Sequence, residues 1–419
     1  MMFYKETNFK ETAIGKIPKE WEIVKLSDKK LAEIIMGQSP PSSTYNKEGK
    51  GLPFLQGKME FGEVYPSPIV HCSQPIKIAE PNDILISVRA PVGDANVAPY
   101  KLCIGRGLAA IRFNLNRANH WFYFYYFQKI KNFLENLGKG STFKAITKED
   151  LENLKVPYPS FFEQQKIAEI LSTVDEAIQK TNEIIAKTER LKKGLMQELL
   201  TSGIGHKEFK DTEIGRIPKE WEVRKLKDVI FEAKSGFACG KRDENGILQL
   251  RMDSIEPEGW INTEAGVKVP IPEDVENYFL RLGDILFNNT NSVDLIGKTA
   301  IFRGEFQKCV YSNHLTRIRV NLAKAIPEWI LYLLIRKWQL GFFKTICHRH
   351  VHQAGINNED IINLKIPVPS ISEQKRITLI LSSIDEKLRL ERNEKVKLER
   401  IKQGLMDLLL TGKVRVKVN

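Results

Sequence analysis

The sequence has only five cysteines in 419 residues, and no two of them form a C-x-x-C pair. This scarcity argues against a disulfide framework and against a thiolate zinc site. The longest apolar runs, Trp121–Phe127 and Ile330–Ile335, fall far short of the roughly 20 residues that a membrane helix needs. The first ten residues also lack the apolar core of a secretory signal. We therefore expect a cytoplasmic protein.

The composition indicates a folded chain with an excess of positive charge. Hydrophobic residues make up 42% and charged residues 28%, which is typical of globular proteins. A length of 419 residues is enough for two to four domains. The formal net charge of +12 makes a polyanion a plausible partner.

Two blocks of sequence occur twice in the chain. Residues 10–28 return at 210–228, and residues 146–203 return without a gap at 356–413. The offsets of 200 and 210 place ten additional residues between the blocks of the second copy. A period this long indicates tandem duplication of a whole domain together with its connector.

Between these blocks the copies diverge but keep short points of similarity. F-L-Q-G-K-M-E at 54–60 resembles I-L-Q-L-R-M-D at 247–253, and D-I-L occurs at 83–85 and at 284–286. Apolar runs such as Ile84–Val88 favour short strands, punctuated by glycine and proline. The copies therefore predict one mixed α+β fold with two different surfaces.

The second repeated block predicts a long helix in each copy. Ser160 and Ser370 each precede a glutamate by three residues, Glu163 and Glu373, which is the spacing of a capping box. Apolar residues then recur every three or four positions over about 40 residues, or about 60 Å of helix. Since neither helix can bury this stripe alone, we expect the two to pack as a coiled coil. The expected packing residues are Ile167, Leu171, Val174, Ile178, Leu191, Leu195, Ile377, Leu381, Ile384, Leu388, Ile401 and Leu405.

This pattern divides the chain into two globular domains at 1–155 and 206–365, each followed by a helical region, at 156–205 and 366–419. The helical segments 161–203 and 371–413 carry net charges of −1 and +3, so +10 of the total lies outside them. A positive charge concentrated in the globular domains suits domains that bind DNA phosphates, while the helices act as a spacer.

The repeated strings resemble the specificity subunit of a type I restriction–modification system. They are I-G-K-I-P-K-E-W-E at 14–22 with I-G-R-I-P-K-E-W-E at 214–222, and L-K-V-P-Y-P-S-F-F-E-Q-Q-K-I at 154–167 with L-K-I-P-V-P-S-I-S-E-Q-K-R-I at 364–377. The resemblance covers essentially the whole chain.

This resemblance implies two target-recognition domains that each read one half of a split, asymmetric duplex DNA site. The two long helices would pair antiparallel and set the gap between the half-sites. Methyltransferase (modification) and endonuclease/translocase (restriction) subunits would be the partners. S-adenosylmethionine, ATP and magnesium would belong to those partners, so this chain itself would carry no cofactor and would not be an enzyme.

Candidate DNA contacts are basic and amide side chains in loops of the divergent regions. Arginine pairs bidentately with guanine and asparagine with adenine, while glycine lets a backbone approach phosphates. As a set, we predict Arg89, Arg106, Lys139, Ser141, Lys144, Lys241, Arg242, Arg251, Asn289, Asn291, Arg349 and His350.

Other chemistries find weaker support in the sequence. Cys347 and the nearby histidines have no second cluster to complete a metal site, and we expect no metal there. Gly297-Lys298-Thr299 ends like a phosphate-binding loop, but Ser292 stands where that loop requires glycine. No N/D-P-P-Y/F string of an adenine methyltransferase occurs. A self-sufficient enzyme and a coiled-coil protein-interaction scaffold without sequence-specific DNA binding remain the alternatives.

Overall fold

The computed structural model describes residues 3–28, 31–137, 145–349, 351 and 353–416. The chain forms two compact units, Met1–Asn182 with Asn393–Asn419, and Glu183–Arg392. None of the helices within the described ranges combines the length and apolar character that a membrane span requires.

The described residues form eight α-helices, two of which are much longer than the rest. The helices are α1 His120–Lys129, α2 Lys131–Leu137, α3 Lys148–Glu152, α4 Phe161–Ser202, α5 Pro327–Gln339, α6 Phe342–Ile346, α7 Asn358–Ile362 and α8 Ile371–Leu409. α4 begins in the first unit and ends in the second, and α8 runs from the second unit into the first.

The first unit contains two main sheets. One is antiparallel, in the order Ala95–Val97, Ile84–Ser87, Leu108–Phe113, Ala32–Met36. The other has the order Tyr45–Asn46, Val70–Cys72, Leu52–Leu55, Leu102–Ile104, Ile78–Ala79, with Leu52–Leu55 and Leu102–Ile104 parallel. Antiparallel strand pairs join Phe9–Thr12 to Gly15–Pro18, Glu22–Lys25 to Lys155–Tyr158, and Phe3–Lys5 to Val414–Val416.

The second unit repeats this design. Its antiparallel sheet has the order Ile230–Ser235, Leu315–Val320, Ile285–Asn288, Thr299–Ile301. Its second sheet has the order Val267–Val269, Ile247–Leu250, Val310–Tyr311, the last two parallel. A third sheet has the order Thr290–Asn291, Ala354–Gly355, His348–Arg349. Strand pairs join Phe209–Thr212 to Gly215–Pro218 and Glu222–Lys225 to Lys365–Val368. The predicted mixed fold with two similar domains and two long helices is confirmed.

The repeated D-I-L string begins with a buried aspartate that binds an arginine on the neighbouring strand. Asp83 accepts from Arg112 Nε at 3.1 Å and Nη2 at 2.9 Å. Asp284 accepts from Arg319 Nε at 2.8 Å and Nη2 at 2.7 Å. Burial raises the pKa of the Asp83 carboxyl, and the hydrogen bonds from Arg112 oppose that rise. The pair therefore belongs to the constant frame of both units.

The long helices pair antiparallel within each unit. In the first unit Asp175 of α4 binds Lys402 of α8 at 2.7 Å, and Leu171 shares a core with Met406. In the second unit Lys192 of α4 binds Asp385 of α8. Glu189 of α4 also binds Arg392 of α8 at 2.8 Å. Within each unit the α8 residues therefore run backwards as the α4 residues run forwards, which is antiparallel packing.

Ten of the twelve predicted packing residues are buried or half-buried, and two are exposed. Ile167, Leu171, Ile178, Ile377, Leu381 and Leu388 are buried, and Val174, Leu195, Ile384 and Leu405 are half-buried. Leu191 and Ile401 are 55% and 51% exposed, so their predicted packing role is wrong. Lys192 and Lys402, one position further on, face the neighbouring helix instead and bind its aspartates. The helices also begin at Phe161 and Ile371, five residues after the boundaries drawn at 156 and 366.

The start of each long helix is anchored by its glutamate rather than closed by a full capping box. Ser160 Oγ accepts from Glu163 N at 3.3 Å, but the Glu163 carboxylate turns to Trp21 Nε1 at 3.1 Å and Arg415 Nε at 2.6 Å. In the second unit Glu373 accepts from Trp221 Nε1 at 3.0 Å. The tryptophan of the first repeated block is thereby tied to the helix of the second.

Replacing Glu163 by alanine should destabilise the first unit. Both Glu163 and Arg415 are buried, so the substitution leaves a buried guanidinium whose remaining carboxylate partners among the described residues are Glu6 and Glu20. We expect a loss of about 2–4 kcal/mol in the free energy of unfolding. Urea unfolding followed by tryptophan fluorescence measures it.

The matched control is Glu169→Ala on the same helix, which removes only the exposed pair with Lys166. Its effect should stay below about 1 kcal/mol. Equal losses in the two variants would contradict a structural role for the Glu163 cluster.

Candidate nucleic-acid interface

In the first unit three loops meet beside the ends of the sheet strands. The backbone N–H of Gln38 donates to Ile104 O at 3.0 Å, and that of Gly107 donates to Gln56 O at 3.1 Å. Ser39 Oγ accepts from Arg106 N at 3.1 Å and donates to Gln56 Oε1 at 3.0 Å. We call the loops 37–41, 56–58 and 105–107 the first loop cluster.

This close approach depends on a glycine at one position in each unit. A Cβ on Gly37 would lie 2.2 Å from Gly105 O, and a Cβ on Gly236 would lie 2.1 Å from Tyr311 O. Since a side chain cannot occupy either place without displacing backbone, only glycine allows the loops to meet.

The structure brings Arg89 and Arg106 to the same side of the first unit. The residue before Arg89, Val88, donates its N–H to Gly107 O at 2.9 Å, and Gly107 directly follows Arg106. Arg89 also forms a backbone bridge with Ala145, the first described residue after the segment 138–144. Three predicted contacts in that segment, Lys139, Ser141 and Lys144, lie outside the described residues, as does His350 of the second unit.

The second unit has an equivalent second loop cluster, formed by residues 237–242, 249–252 and 312–314. Phe237 O accepts from Asn313 N at 3.2 Å and from Gln249 Nε2 at 2.9 Å. Arg251 Nη2 donates to Cys239 O at 3.0 Å. A cleft of about 300 Å³ opens between these loops. The predicted contacts Lys241 and Arg242 are exposed in the first of them.

Asn289 is part of the scaffold of this cluster and not a free reader of bases. It is 6% exposed, and its Nδ2 donates to Asn313 O at 3.1 Å and to Thr316 Oγ1 at 2.9 Å. Its backbone N–H donates to His314 O, and its carbonyl accepts from Ile356 N. Val88 of the first unit makes the same two backbone hydrogen bonds, to Gly107 O and from Ile146 N. Asn289 therefore takes the place of a buried valine, and its predicted pairing with adenine is wrong because its amide is already used.

Asn291 and Arg349 lie on the two outer strands of the three-stranded sheet in the second unit. Both are paired with Ala354, one from each side, and opposed residues of a sheet point to the same face. Asn291 is half-buried and Arg349 is exposed. Two predicted contacts from distant parts of the sequence thus come together.

The exposed basic candidates are not neutralised by the protein. Arg89, Arg106, Lys241, Arg242 and Arg349 form no ion pair with any other residue that the structure describes. The sheet arginines Arg112, Arg317 and Arg319, by contrast, all bind carboxylates. Exposed unpaired cations on loops are suited to bind phosphates or base edges.

The sequence interpretation missed several polar residues of the loop clusters. Ser39 and Gln56 connect the loops of the first cluster, and Gln249, Asn313 and His314 lie around the cleft of the second. Gln56 and Gln249 occupy the same position in the two similar strings at 54–60 and 247–253. That match was the one signal that pointed to them.

Two similar domains with basic loop clusters, joined by long helices, define a two-domain recognition protein. A family model described as type I restriction modification DNA specificity domain matches residues 18–190 and 218–400. The chain therefore belongs to the family of type I restriction–modification DNA specificity proteins, and the resemblance drawn from its sequence is confirmed.

Individual relatives agree with this family. The chain is 32% identical to the type I restriction enzyme MjaVIII specificity subunit of Methanocaldococcus jannaschii, over all of this chain and 98% of that one. It is 52% identical over 201 residues to the putative MjaX specificity subunit of the same organism, an alignment that spans 48% of this chain and 47% of that relative. The crystal structure of a type I S subunit from M. genitalium shares the fold, with a TM-score of 0.62, 17% identity, and 95% and 97% of the two chains covered.

Replacing Asn289 by alanine should destabilise the second unit by about 1–3 kcal/mol, because Thr316 and the Asn313 carbonyl lose a buried donor. Replacing Asn291 by alanine removes only a local hydrogen bond that its Oδ1 accepts from Ser292 N, and should change the free energy of unfolding by about 0.5 kcal/mol. Denaturant unfolding of the two variants compares them. A larger loss for Asn291→Ala would reverse the roles that we give to these residues.

Proposed function

We propose that this chain is the DNA-specificity subunit of a type I restriction–modification complex. Each unit reads one half of a split, asymmetric duplex site, and the paired long helices fix the gap between the halves. The observation that carries this proposal is that the same frame presents a basic loop cluster in each unit, with different side chains in the two.

Recognition of DNA is supported by where the unpaired charge lies. Arg89 and Arg106 in one unit, and Lys241, Arg242 and Arg349 in the other, are exposed on loops or strand ends. Arginine can read guanine through O6 and N7, and lysine contacts phosphates. Asn291 adds an amide suited to adenine in the second unit.

Recognition of two different half-sites is supported by the pattern of constant and variable residues. The Asp–Arg pairs and the glycines at 37 and 236 recur, whereas Arg106 and Gly107 stand where the second unit has Asn313 and His314. Two copies with different loops read two different short sequences, which makes the whole site asymmetric.

The chemistry of the complex belongs to its partners. Methyltransferase subunits would supply S-adenosylmethionine-dependent modification, and restriction subunits would supply ATP- and magnesium-dependent translocation and cleavage. The specificity chain is then not an enzyme but directs these subunits to their site. The lack of an N/D-P-P-Y/F string supports this division.

Selection from randomised duplex DNA tests the proposal, using this chain co-expressed with a methyltransferase subunit of the same restriction–modification system. We expect a motif of two short blocks separated by a gap of fixed length, and binding that weakens steeply with salt. Recovery of no motif from an intact complex would instead favour a protein-interaction scaffold. Arg106→Ala should alter or weaken selection in one block only, and Arg349→Ala in the other.

Shortening both long helices by one turn should shorten the preferred gap. Deleting 182–185 together with the repeat counterparts 392–395 removes about 6 Å of helix, or about two base pairs at 3.4 Å each. The bases of the half-sites should not change. Replacing the same eight residues by alanine keeps the length and should keep the gap; altered half-site bases in the shortened chain would contradict the spacer role.

A further inference from the structure

Each unit contains a tyrosine, an aspartate and a lysine bonded in the same way. In the first unit Tyr125 Oη donates to Asp175 Oδ2 at 2.8 Å, and Lys402 Nζ lies 2.7 Å from Asp175 Oδ1. In the second unit Tyr332 Oη donates to Asp385 Oδ2 at 2.7 Å, and Lys192 Nζ binds Asp385 Oδ1. The same oxygen takes the same partner in both, so we call these groups the two triads.

Charge is costly at the second triad, whose ion pair is buried, whereas the ion pair of the first triad is half-buried. Asp385 and Lys192 are 6% and 7% exposed, and both tyrosines are buried. Burial, followed by the charge of the aspartate, raises the pKa of both tyrosines, so each remains a hydroxyl donor. Apolar residues of similar volume would hold two helices together at least as well as a buried ion pair. Stability alone therefore does not account for the triads.

What the triads do specify is register. On each helix the aspartate precedes the lysine by 17 residues, so both ion pairs form at one antiparallel alignment and are lost together at others. Sliding α8 by four residues in one direction brings Met406 opposite Asp175 and Arg389 opposite Lys192. Sliding it the other way brings Leu398 and Leu381 to those places. In either case the aspartate faces an apolar residue and the lysine faces leucine or another cation.

We propose that the two triads set the register of the helix pair and thereby the length of the gap between half-sites that the protein accepts. This inference rests on the proposed function. Each globular domain is joined to the beginning of one long helix, so sliding the helices changes the separation of the domains. One turn is about 5.4 Å, or one to two base pairs. Tyr125 on α1 donates to Asp175, and Tyr332 on α5 donates to Asp385, so in each unit the buried helix of the domain is bonded to the aspartate of its own triad. These residues are positioning residues, since they act through the helices that they join.

The experiment uses the complex with the methyltransferase and a library of the selected half-sites separated by gaps of different lengths. In the apolar variant Asp175→Leu, Lys402→Met, Asp385→Leu and Lys192→Met replace both ion pairs. We expect the preference for the natural gap over its neighbours to fall by roughly tenfold, while the bases selected in each half-site stay the same. Circular dichroism checks that the helices are retained.

Two further variants keep the test decisive. In the reversed variant, Asp175→Lys and Lys402→Asp are combined with Asp385→Lys and Lys192→Asp, which re-forms both pairs in the same register and should restore the gap preference. The control Glu183→Leu with Lys187→Met removes an exposed pair within α4 and should leave that preference unchanged. If the apolar variant does not fold, the reversed variant decides. A reversed variant that retains the preference for the natural gap supports the proposal. A reversed variant that folds but loses this preference overturns it.

Failure of this inference differs from failure of the proposed function. The inference is overturned if the unaltered complex selects two blocks at a fixed gap and the apolar variant selects them just as strictly. The proposed function is overturned if the unaltered complex selects no such motif.

Discussion

Neither long helix can bury its own apolar stripe, and the rest of the molecule is arranged around that constraint. Within each unit the first half of one helix packs against the second half of the other. The first unit is therefore complete only when the C-terminal part of the chain returns to it, ending in the strand Val414–Val416 beside Phe3–Lys5. Duplication of a domain with its helix solves this burial problem, since each copy supplies the partner that the other lacks.

The same constraint separates what can vary from what cannot. Residues that touch the helix pair recur in both units, among them Trp21 and Trp221 with their glutamates, and the tyrosines of the triads. The loop clusters lie at strand ends, and apart from Gln56 and Gln249 most of their side chains differ between the units. Even the buried position of Val88 is filled by Asn289 in the second unit, where the side-chain amide donates to Asn313 O in the neighbouring loop. A recognition surface can therefore change without loss of the core that carries it.

The sequence was informative where structure is local or repeated, and failed where it depends on distant partners. The duplication and the two long helices follow from repeats and periodicity in the sequence, which neighbouring residues determine. Asn289 was misinterpreted because its partners Asn313 and Thr316 are 24 and 27 residues away. The meeting of Arg89 with Arg106, or of Asn291 with Arg349, depends on strand pairing that no local pattern reveals.

The wrong assignment of Leu191 and Ile401 has a more specific cause. An apolar pattern treats lysine as a surface residue, yet a lysine with an aspartate opposite it can occupy the interface and turn its apolar neighbour towards solvent. This happened at Lys192 and at Lys402, the same repeat position in both helices. An apolar interface tolerates several alignments of similar energy, because leucine packs against leucine at many of them. A buried charge tolerates only those that supply its counter-charge, so these two departures from the pattern mark where the helix pair gains a defined register.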